Sequence, residues 1–286
     1  MPTDSLISDV SDTARWVAVY RAMETERPDA IFRDPFARRL AGAKGEAIVK
    51  GMKRGRSMSW PMVVRTALLD EIILRQIADG VDTVLNLAAG LDVRAYRMPL
   101  PASLHWIDLD HPHMVTYKAE VMQSETPACR YESVPLDLAD VVARRALFSR
   151  VNAEATRTLV ITEGLLIYLA EPAVIALAYD LHALSTFRHW TTDLASPGLL
   201  KMMDKTWGRT VAAGNAPFLF GPAEGPAFFA KFGWKDIEYR GFMDEGIRLK
   251  RTFPMARFWR FVGQIAPKKR RDEFRYFSGI VLLEQT

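Results

Sequence analysis

An α/β fold built around a parallel sheet is predicted by three stretches of this chain. Residues 83–110 read as a short apolar strand, Thr83–Leu87, a small-residue turn at Ala88-Ala89-Gly90, an intervening segment and a second strand ending in acid. Residues 158–165 are almost wholly apolar until Glu163, as a strand buried on both faces would be. Helical patterns separate the strands, notably over 62–79 and from Glu171-Pro172 onward. Open sheets of this type take their ligands at the carboxyl ends of the strands. The residues at those ends are therefore the candidates for function.

Bulk properties narrow the class. The chain has 286 residues, 49% hydrophobic and 25% charged, which suits one large α/β domain. Its net charge of +4 comes from bases mostly interleaved with acids, so no nucleic-acid partner is expected. Cys129 is the only cysteine, which excludes an internal disulfide and makes a reducing, cytoplasmic setting the expectation. Residues 1–9 lack a signal-peptide pattern. The apolar stretch Leu159–Leu184 is interrupted by Glu163, Glu171, Pro172, Asp180 and His182, so neither a span nor a membrane partner is expected. The histidines show no ligand spacing beyond His111-Pro-His113, and no metal is expected.

In chain order, 13–26 reads as a helix with Trp16, Tyr20 and Met23 on one face, either plain core or the lid of a substrate pocket. Asp34-Pro35 starts a second helix that Gly42 ends, and 44–60 reads as a glycine-rich, solvated loop. In the helix 62–79, Arg65 accompanies an apolar stripe. It either snorkels to solvent or presents a guanidinium fork to a carboxylate. The turn Ala88–Gly90 lets a ligand approach the backbone because its side chains are small. Asp108 and Asp110, near the second strand's end, either accept ribose hydroxyls or cap the next segment. A G-x-G-x-x-G fingerprint is absent, and Asp92 stands where a pyrophosphate would need free backbone donors. That disfavours NAD and favours S-adenosylmethionine, which is cationic at sulfur and nitrogen and carries no phosphate. Strands are also predicted at 131–136, His189–Ala195, Trp234–Tyr239 and Phe274–Leu283. The aromatic-rich region 199–232, which includes Trp207, is expected to cap the sheet. The basic runs Arg248–Arg251 and Lys268–Arg271 are expected to be solvated.

These residues resemble the leucine carboxyl methyltransferase-like family of S-adenosylmethionine-dependent methyltransferases, its bacterial branch in particular. The likeness rests on Asp12-Thr-Ala-Arg15, Arg21-Ala-Met-Glu24, Asp34-Pro-Phe-Ala37, Arg65-Thr66, Asn86-Leu-Ala-Ala-Gly-Leu-Asp-Val-Arg-Ala-Tyr-Arg97, Ile107-Asp-Leu-Asp-His-Pro112, Asp137-Leu138 and Thr162-Glu-Gly-Leu-Leu-Ile-Tyr-Leu169. It covers most of 12–186. The resemblance implies a class I methyltransferase (Rossmann-like) fold, a mostly parallel sheet of order 3-2-1-4-5-7-6 whose last strand is antiparallel. It implies one methyltransferase domain: a helical lid region over 1–60, a cofactor-binding core over 61–196, then a cap insertion and the last strands over 197–286. Carried over residue by residue, Arg65 would hold the cofactor carboxylate and Ala88, Ala89 and Gly90 would face its methionine part. Asp110 or Asp108 would bind ribose, Asp137 and Leu138 would border adenine, and Glu163 and Gly164 would lie near the methyl group. Ala88 and Val93 depart from the commonest family pattern, which has Gly and Thr there.

The implied activity is O-methylation of a carboxylate or hydroxyl oxygen on a small molecule or natural product, with S-adenosylhomocysteine as co-product. The alternatives are a protein C-terminal carboxyl methyltransferase and a non-catalytic S-adenosylmethionine or nucleotide-binding protein. A carboxylate acceptor is ionised near pH 7 and needs no base, whereas an alcohol usually does. No histidine base stands out at a strand end, which favours a carboxylate or an acidic hydroxyl. Tyr168 either orients the acceptor or packs in the core. Trp16, Tyr20, Met23 and Trp207 are the expected substrate-pocket residues.

Overall fold

The computed structural model describes residues 11–52, 59–212, 217–265, 267 and 273–286. Seven strands form one sheet: β1 Thr83–Leu87, β2 His105–Asp110, β3 Arg130–Pro135, β4 Thr158–Thr162, β5 His189–Ala195, β6 Trp234–Gly241 and β7 Ser278–Gln285. Their order is β3-β2-β1-β4-β5-β7-β6, and β7 runs antiparallel to both its neighbours. This is the order the resemblance implied. β1 and β4 are buried along their whole length, as central strands covered on both faces must be.

Alternate residues of the strands feed two core layers. Leu85, Leu87, Ile107 and Val160 meet α6 (Val141–Glu154) and α7 (Glu171–His182) on one face. Val84, Trp106, Leu159 and Ile161 meet α3 (Trp60–Ala78) on the other. The α3 side chains Leu68, Leu69, Ile72 and Ile73 are fully buried there. Each such side chain stabilises the fold by ~1.5–3 kcal/mol. α1 (Ser11–Thr25), α2 (Ala37–Gly51) and α5 (Pro112–Met122) form a third cluster around Trp16, Val19, Tyr20, Leu40 and Ile48.

Several boundaries differ from the expectation. Gly42 kinks α2 with φ 61° but does not end it, and the helix continues to Gly51. The glycines read as loop signals serve packing instead: a Cβ at Gly45 would lie 2.9 Å from the Arg15 carbonyl oxygen on α1. Ile48 and Val49 are buried in the same contact. Residues 53–58 of the expected loop lie outside the described residues. β4 stops at Thr162 because Gly164 turns the chain with φ 65°. β7 begins only at Ser278, since Phe274 packs against Gly263 and Tyr276 against Gly225. Arg251, expected in solvent, is buried and holds Glu24 of α1 at 2.9 Å, while Arg248 is half exposed. Lys268–Arg271 lie outside the described residues. The aromatic-rich region holds α8 (Pro197–Ala212) and a 3-10 segment, Gly225–Phe232. No helix among the described residues is long and apolar enough to cross a membrane.

Candidate active site

A cavity of about 880 Å³ opens at the carboxyl ends of the strands. Arg65, Ala88, Ala89, Gly90, Asp110, Asp137, Leu138, Glu163, Gly164 and Tyr168 all line it, as do Trp16 and Tyr20. Asp108 and Met23 do not. Met23 packs at the edge of the α1–α2–α5 cluster, because its turn of α1 faces that cluster and not the cavity. The Trp207 side chain lies outside the described residues.

The two candidate aspartates of β2 share one side of the strand and are separated by depth, Asp108 lying inside it and Asp110 at its last position. Asp108 is 3% exposed, and every nearby donor converges on it: Asn86 Nδ2 at 3.0 Å, Trp106 Nε1 at 2.7 Å, Lys118 Nζ at 2.6 Å and Tyr131 OH at 2.9 Å. Its acceptor capacity is used up inside the fold. Asp110 closes the strand and, among the described residues, accepts only from backbone N–H groups, Gly90 at 2.6 Å and His111 at 2.7 Å. Each of its oxygens keeps acceptor capacity, and the residue lines the cavity. Burial pushes its carboxyl above the usual range, against those N–H bonds. Through Gly90 it also clamps the turn after β1, where Ala88 and Gly90 both have φ 53°. Ala88 thus occupies a left-handed position that favours glycine, at a cost of about 1 kcal/mol. Val93 packs in the helical cluster, and the short helix α4, Arg94–Arg97, is served instead by Asp92, whose Oδ1 accepts from the Arg94 N–H at 2.8 Å.

An ion-pair network forms the floor. Arg94, 2% exposed, reaches Asp70 at 2.7 Å, Asp92 at 2.6 Å and Glu163 at 2.7 Å. Arg97 holds Asp70 from the other side at 2.7 Å. Arg65 does not snorkel. It is 7% exposed, with Nη1 donating to Asp193 at 2.9 Å. Its Nε lies 2.9 Å from Glu163 Oε1 as an ion pair without hydrogen-bond alignment. Asp193 in turn accepts from the Gly164 N–H at 2.6 Å. Four carboxylates thus face three guanidinium groups, leaving the floor net negative before Asp110 and Asp137 are added. Burial works to raise the Glu163 carboxyl, but Arg94 and Arg65 overcome it and hold it below its ordinary value. Burial likewise opposes ionisation of Asp92, and Arg94 with Lys118 more than compensates. Asp92 is therefore a charge already paired by Arg94, not a lone anion at a helix start.

The other wall is apolar. Trp16, Trp60, Phe218, Phe242 and Met202 line it together with Tyr20 and Tyr168. Burial raises the Tyr20 phenol to about 12. It also raises Tyr168, against a hydrogen bond with Thr13 and the charge of Arg65. Both are neutral donors near pH 7. Arg21 ties this wall to the strand ends, binding Asp34 at 2.8 Å and the Leu91 carbonyl at 2.6 Å. His111 also lines the cavity, beside Asp110, and stacks on His113. No group of three or more metal-ligating side chains occurs among the described residues.

Sequence reading missed Asp193, Arg94 and Asp70. Asp193 carried a usable signal, being the one acid in an otherwise uncharged strand near its carboxyl end, as Glu163 is. Arg94 and Asp70 carried none, because their pairing is made by tertiary contact between α4 and α3.

The sheet order and the cavity at the carboxyl ends define a Rossmann-like α/β ligand-binding protein. The chain belongs to the leucine carboxyl methyltransferase family, whose model matches residues 14–181. It is 37% identical over 189 residues to a Frankia alni protein and 38% identical over 180 residues to one from Streptomyces coelicolor. These matches cover 62% and 58% of this chain but only 66% and 62% of those relatives. A Streptomyces avermitilis relative is 34% identical over 245 residues, 80% of this chain and 84% of its own length. All three are named as candidate S-adenosyl-L-methionine-dependent methyltransferases. Among solved structures, a candidate methyltransferase from Thermobifida fusca superposes with TM-score 0.61 at 11% identity, covering 99% of this chain and 97% of that one. A DUF574 family protein from Streptomyces avermitilis gives 0.56 at 11% identity, covering 94% and 97%. These two show the fold.

Proposed function

We propose that this protein is an S-adenosylmethionine-dependent O-methyltransferase that methylates a carboxylate or hydroxyl oxygen of a small molecule. The observation that carries the reading is one cavity, in a chain of this family, whose polar floor at the strand ends faces an apolar chamber. The residues suit the cofactor on several counts. The turn at Ala88–Gly90 has little side chain to obstruct a ligand, and a Cβ at Gly90 would approach the Ala14 Cβ to 3.1 Å. Asp110 has acceptor capacity for ribose hydroxyls, with Asp137 and Leu138 beside the adenine. Arg65 keeps Nη2 without a partner among the described residues, and that atom can take a carboxylate oxygen. Glu163, Gly164 and the net negative floor suit a cationic ligand.

The cofactor supplies an electrophilic methyl group on sulfonium. The protein's own contribution is alignment and exclusion of water. Trp16 and Tyr20 on α1, with Phe218 and Phe242 across the chamber, remove the acceptor from water, which strengthens its interaction with nearby donors. Tyr168, kept protonated by burial, donates to the acceptor oxygen and cannot take its proton. Asp193 is bound to Arg65, and Glu163, held below its ordinary value by Arg94 and Arg65, is a weak base. This constellation favours an acceptor that arrives ionised, hence a carboxylate above an alcohol.

Two measurements test the reading. Titration calorimetry should show S-adenosylmethionine binding to the wild type and weaker binding to Asp110→Asn; no binding by the wild type sinks the proposal. Methyl-labelled cofactor, offered with a panel of apolar carboxylic acids and phenols, should give product. Label released as methanol by mild alkali identifies a carboxyl ester, alkali-stable label identifies an ether, and transfer to neither class overturns the acceptor assignment.

A further inference from the structure

Five arginines among the described residues line the cavity, and four of them are answered by acids of the protein. Arg21, Arg65, Arg94 and Arg144 each hold an aspartate or glutamate. Arg275 is the fifth, and among the described residues it makes no ion pair or hydrogen bond. Its guanidinium lies over the Tyr276 ring, 5.2 Å from the centroid, on an exposed side chain. A guanidinium stacked in this way keeps its planar fork of donors for an anion. Asp244 of α9 (Phe242–Arg248) lines the same cavity but does not compete for it, because Arg260 holds Asp244 at 2.7 Å.

The sheet places Arg275 away from the floor. A Cβ on Gly241, the last residue of β6, would lie 3.5 Å from the Arg275 carbonyl oxygen, so Arg275 stands where β6 ends and the chain turns into β7. Glu163 follows β4, which is separated from β7 by β5 and from β6 by β5 and β7. Two to three strand spacings make roughly 10–15 Å between the two backbones. Phe242, Phe253, Phe274 and Phe277 supply apolar lining on the Arg275 flank. The volume of about 880 Å³ is near the top of the usual range of roughly 300–1,000 Å³ for ligand sites, so a cofactor and an acceptor fit together.

We propose that Arg275 selects acceptors that carry an anionic group at the end remote from the oxygen that is methylated. The substrate class is then an apolar molecule with an acidic far end, its body covered by the phenylalanine flank. Which end reacts rests on the methyl-transfer reading. At Arg275 an anion gains an ion pair without displacing a carboxylate of the protein. At Arg94 it would compete with Asp70, Asp92 and Glu163, and Arg65 is assigned to the cofactor.

Straight-chain dicarboxylic acids, compared with monocarboxylic acids of the same length, test it. Their affinities are measured by calorimetry on the full chain, with and without S-adenosylhomocysteine, and their KM values in methyl transfer. The wild type should bind diacids about three- to tenfold more tightly than the matching monoacids, between the value of an exposed ion pair and that of a hydrogen bond to a charged group. Arg275→Gln should close that gap and Arg275→Lys should keep part of it. Arg275→Glu should turn the preference towards ω-amino acids of the same length. The thermal transition should not move in these variants, since the side chain is exposed. Diacids that bind the wild type no better than monoacids overturn the proposal, as does a preference that survives Arg275→Gln. The methyl-transfer reading fails separately, if S-adenosylmethionine does not bind, and the comparison of acids without cofactor decides the role of Arg275 in either case.

Discussion

The two ends of the central sheet carry opposite electrostatic solutions. At the carboxyl ends, the partly buried carboxyl groups of Asp110, Glu163 and Asp193 line the cavity, faced by arginines and backbone N–H groups. At the amino ends, His105 opens β2 and His189 opens β5, and both are buried with their imidazoles held neutral. The difference follows from the direction of the strands. In a parallel sheet the connecting helices begin beyond the carboxyl ends, so their N-termini and free N–H groups favour anions there. Charge is concentrated where a ligand enters and removed where the sheet is only packed. The cavity lies at the charged end, and disrupting each end in turn should affect different properties.

The largest effect is expected at Arg94. It alone joins Asp70, Asp92 and Glu163 while 2% exposed. Arg94→Leu leaves those carboxylates uncompensated and should cost roughly 3–5 kcal/mol in denaturant titration. Arg97→Leu, which releases Asp70 only, should cost clearly less. Equal losses would show that the network does not centre on Arg94.

Next come the two aspartates of β2, which separate folding from binding within one strand. Asp108→Asn leaves the 5% exposed Lys118 without its anion and should cost about 3 kcal/mol of stability. Asp110→Asn should keep most of the stability and weaken S-adenosylmethionine roughly 10–100-fold, the value of hydrogen bonds to a charged group. The reverse pattern would exchange their roles. Sequence placed both at the strand's end but could not divide them, since what divides them is Lys118 of α5 and Tyr131 of β3 arriving from elsewhere. The sheet itself was legible because its strands are apolar runs between helical periods. The positions of Arg65, Ala88–Gly90, Asp110 and Glu163 on the cavity wall were legible for the same reason, each being tied to a strand end or an adjoining helix. The route of α2 through Gly42, the Glu24–Arg251 pair and the outward apolar face of the helix Ala256–Ile265 were not. Local sequence records amphipathicity but not which side the rest of the chain covers.

Tyr168 sharpens the picture on the apolar side of the cavity. Tyr168→Phe removes one hydroxyl from a partly buried ring that lies tilted against Phe218, with centroids 5.8 Å apart. Cofactor affinity should be unchanged and methyl transfer should fall about three- to tenfold, the net value of one neutral hydrogen bond. A matching loss of cofactor binding would move Tyr168 out of the acceptor's surroundings.

The smallest effect is expected at the amino ends, and its sign is fixed by the histidines. Burial, aided by Arg130, lowers the His105 imidazole, and burial, aided by Arg157, lowers His189. In the unfolded chain each returns to its ordinary value near 6.5. Above that pH neither state binds the protons and the histidines contribute no slope. As pH falls below it, the unfolded chain takes up protons that the folded protein refuses, so stability declines towards the depressed folded values. Glu163 and Asp92 act lower on the axis: their folded carboxyls are held below the ordinary range, so the stability they add is present above about 4.5 and is lost as acid reaches them. Denaturant midpoints measured from pH 8 to pH 3 should therefore fall in two steps. His105→Gln/His189→Gln should remove the upper step and leave the lower one, because the lower step belongs to the other end of the sheet. If the upper step survives that double substitution, the neutral histidines are not what distinguishes the amino ends.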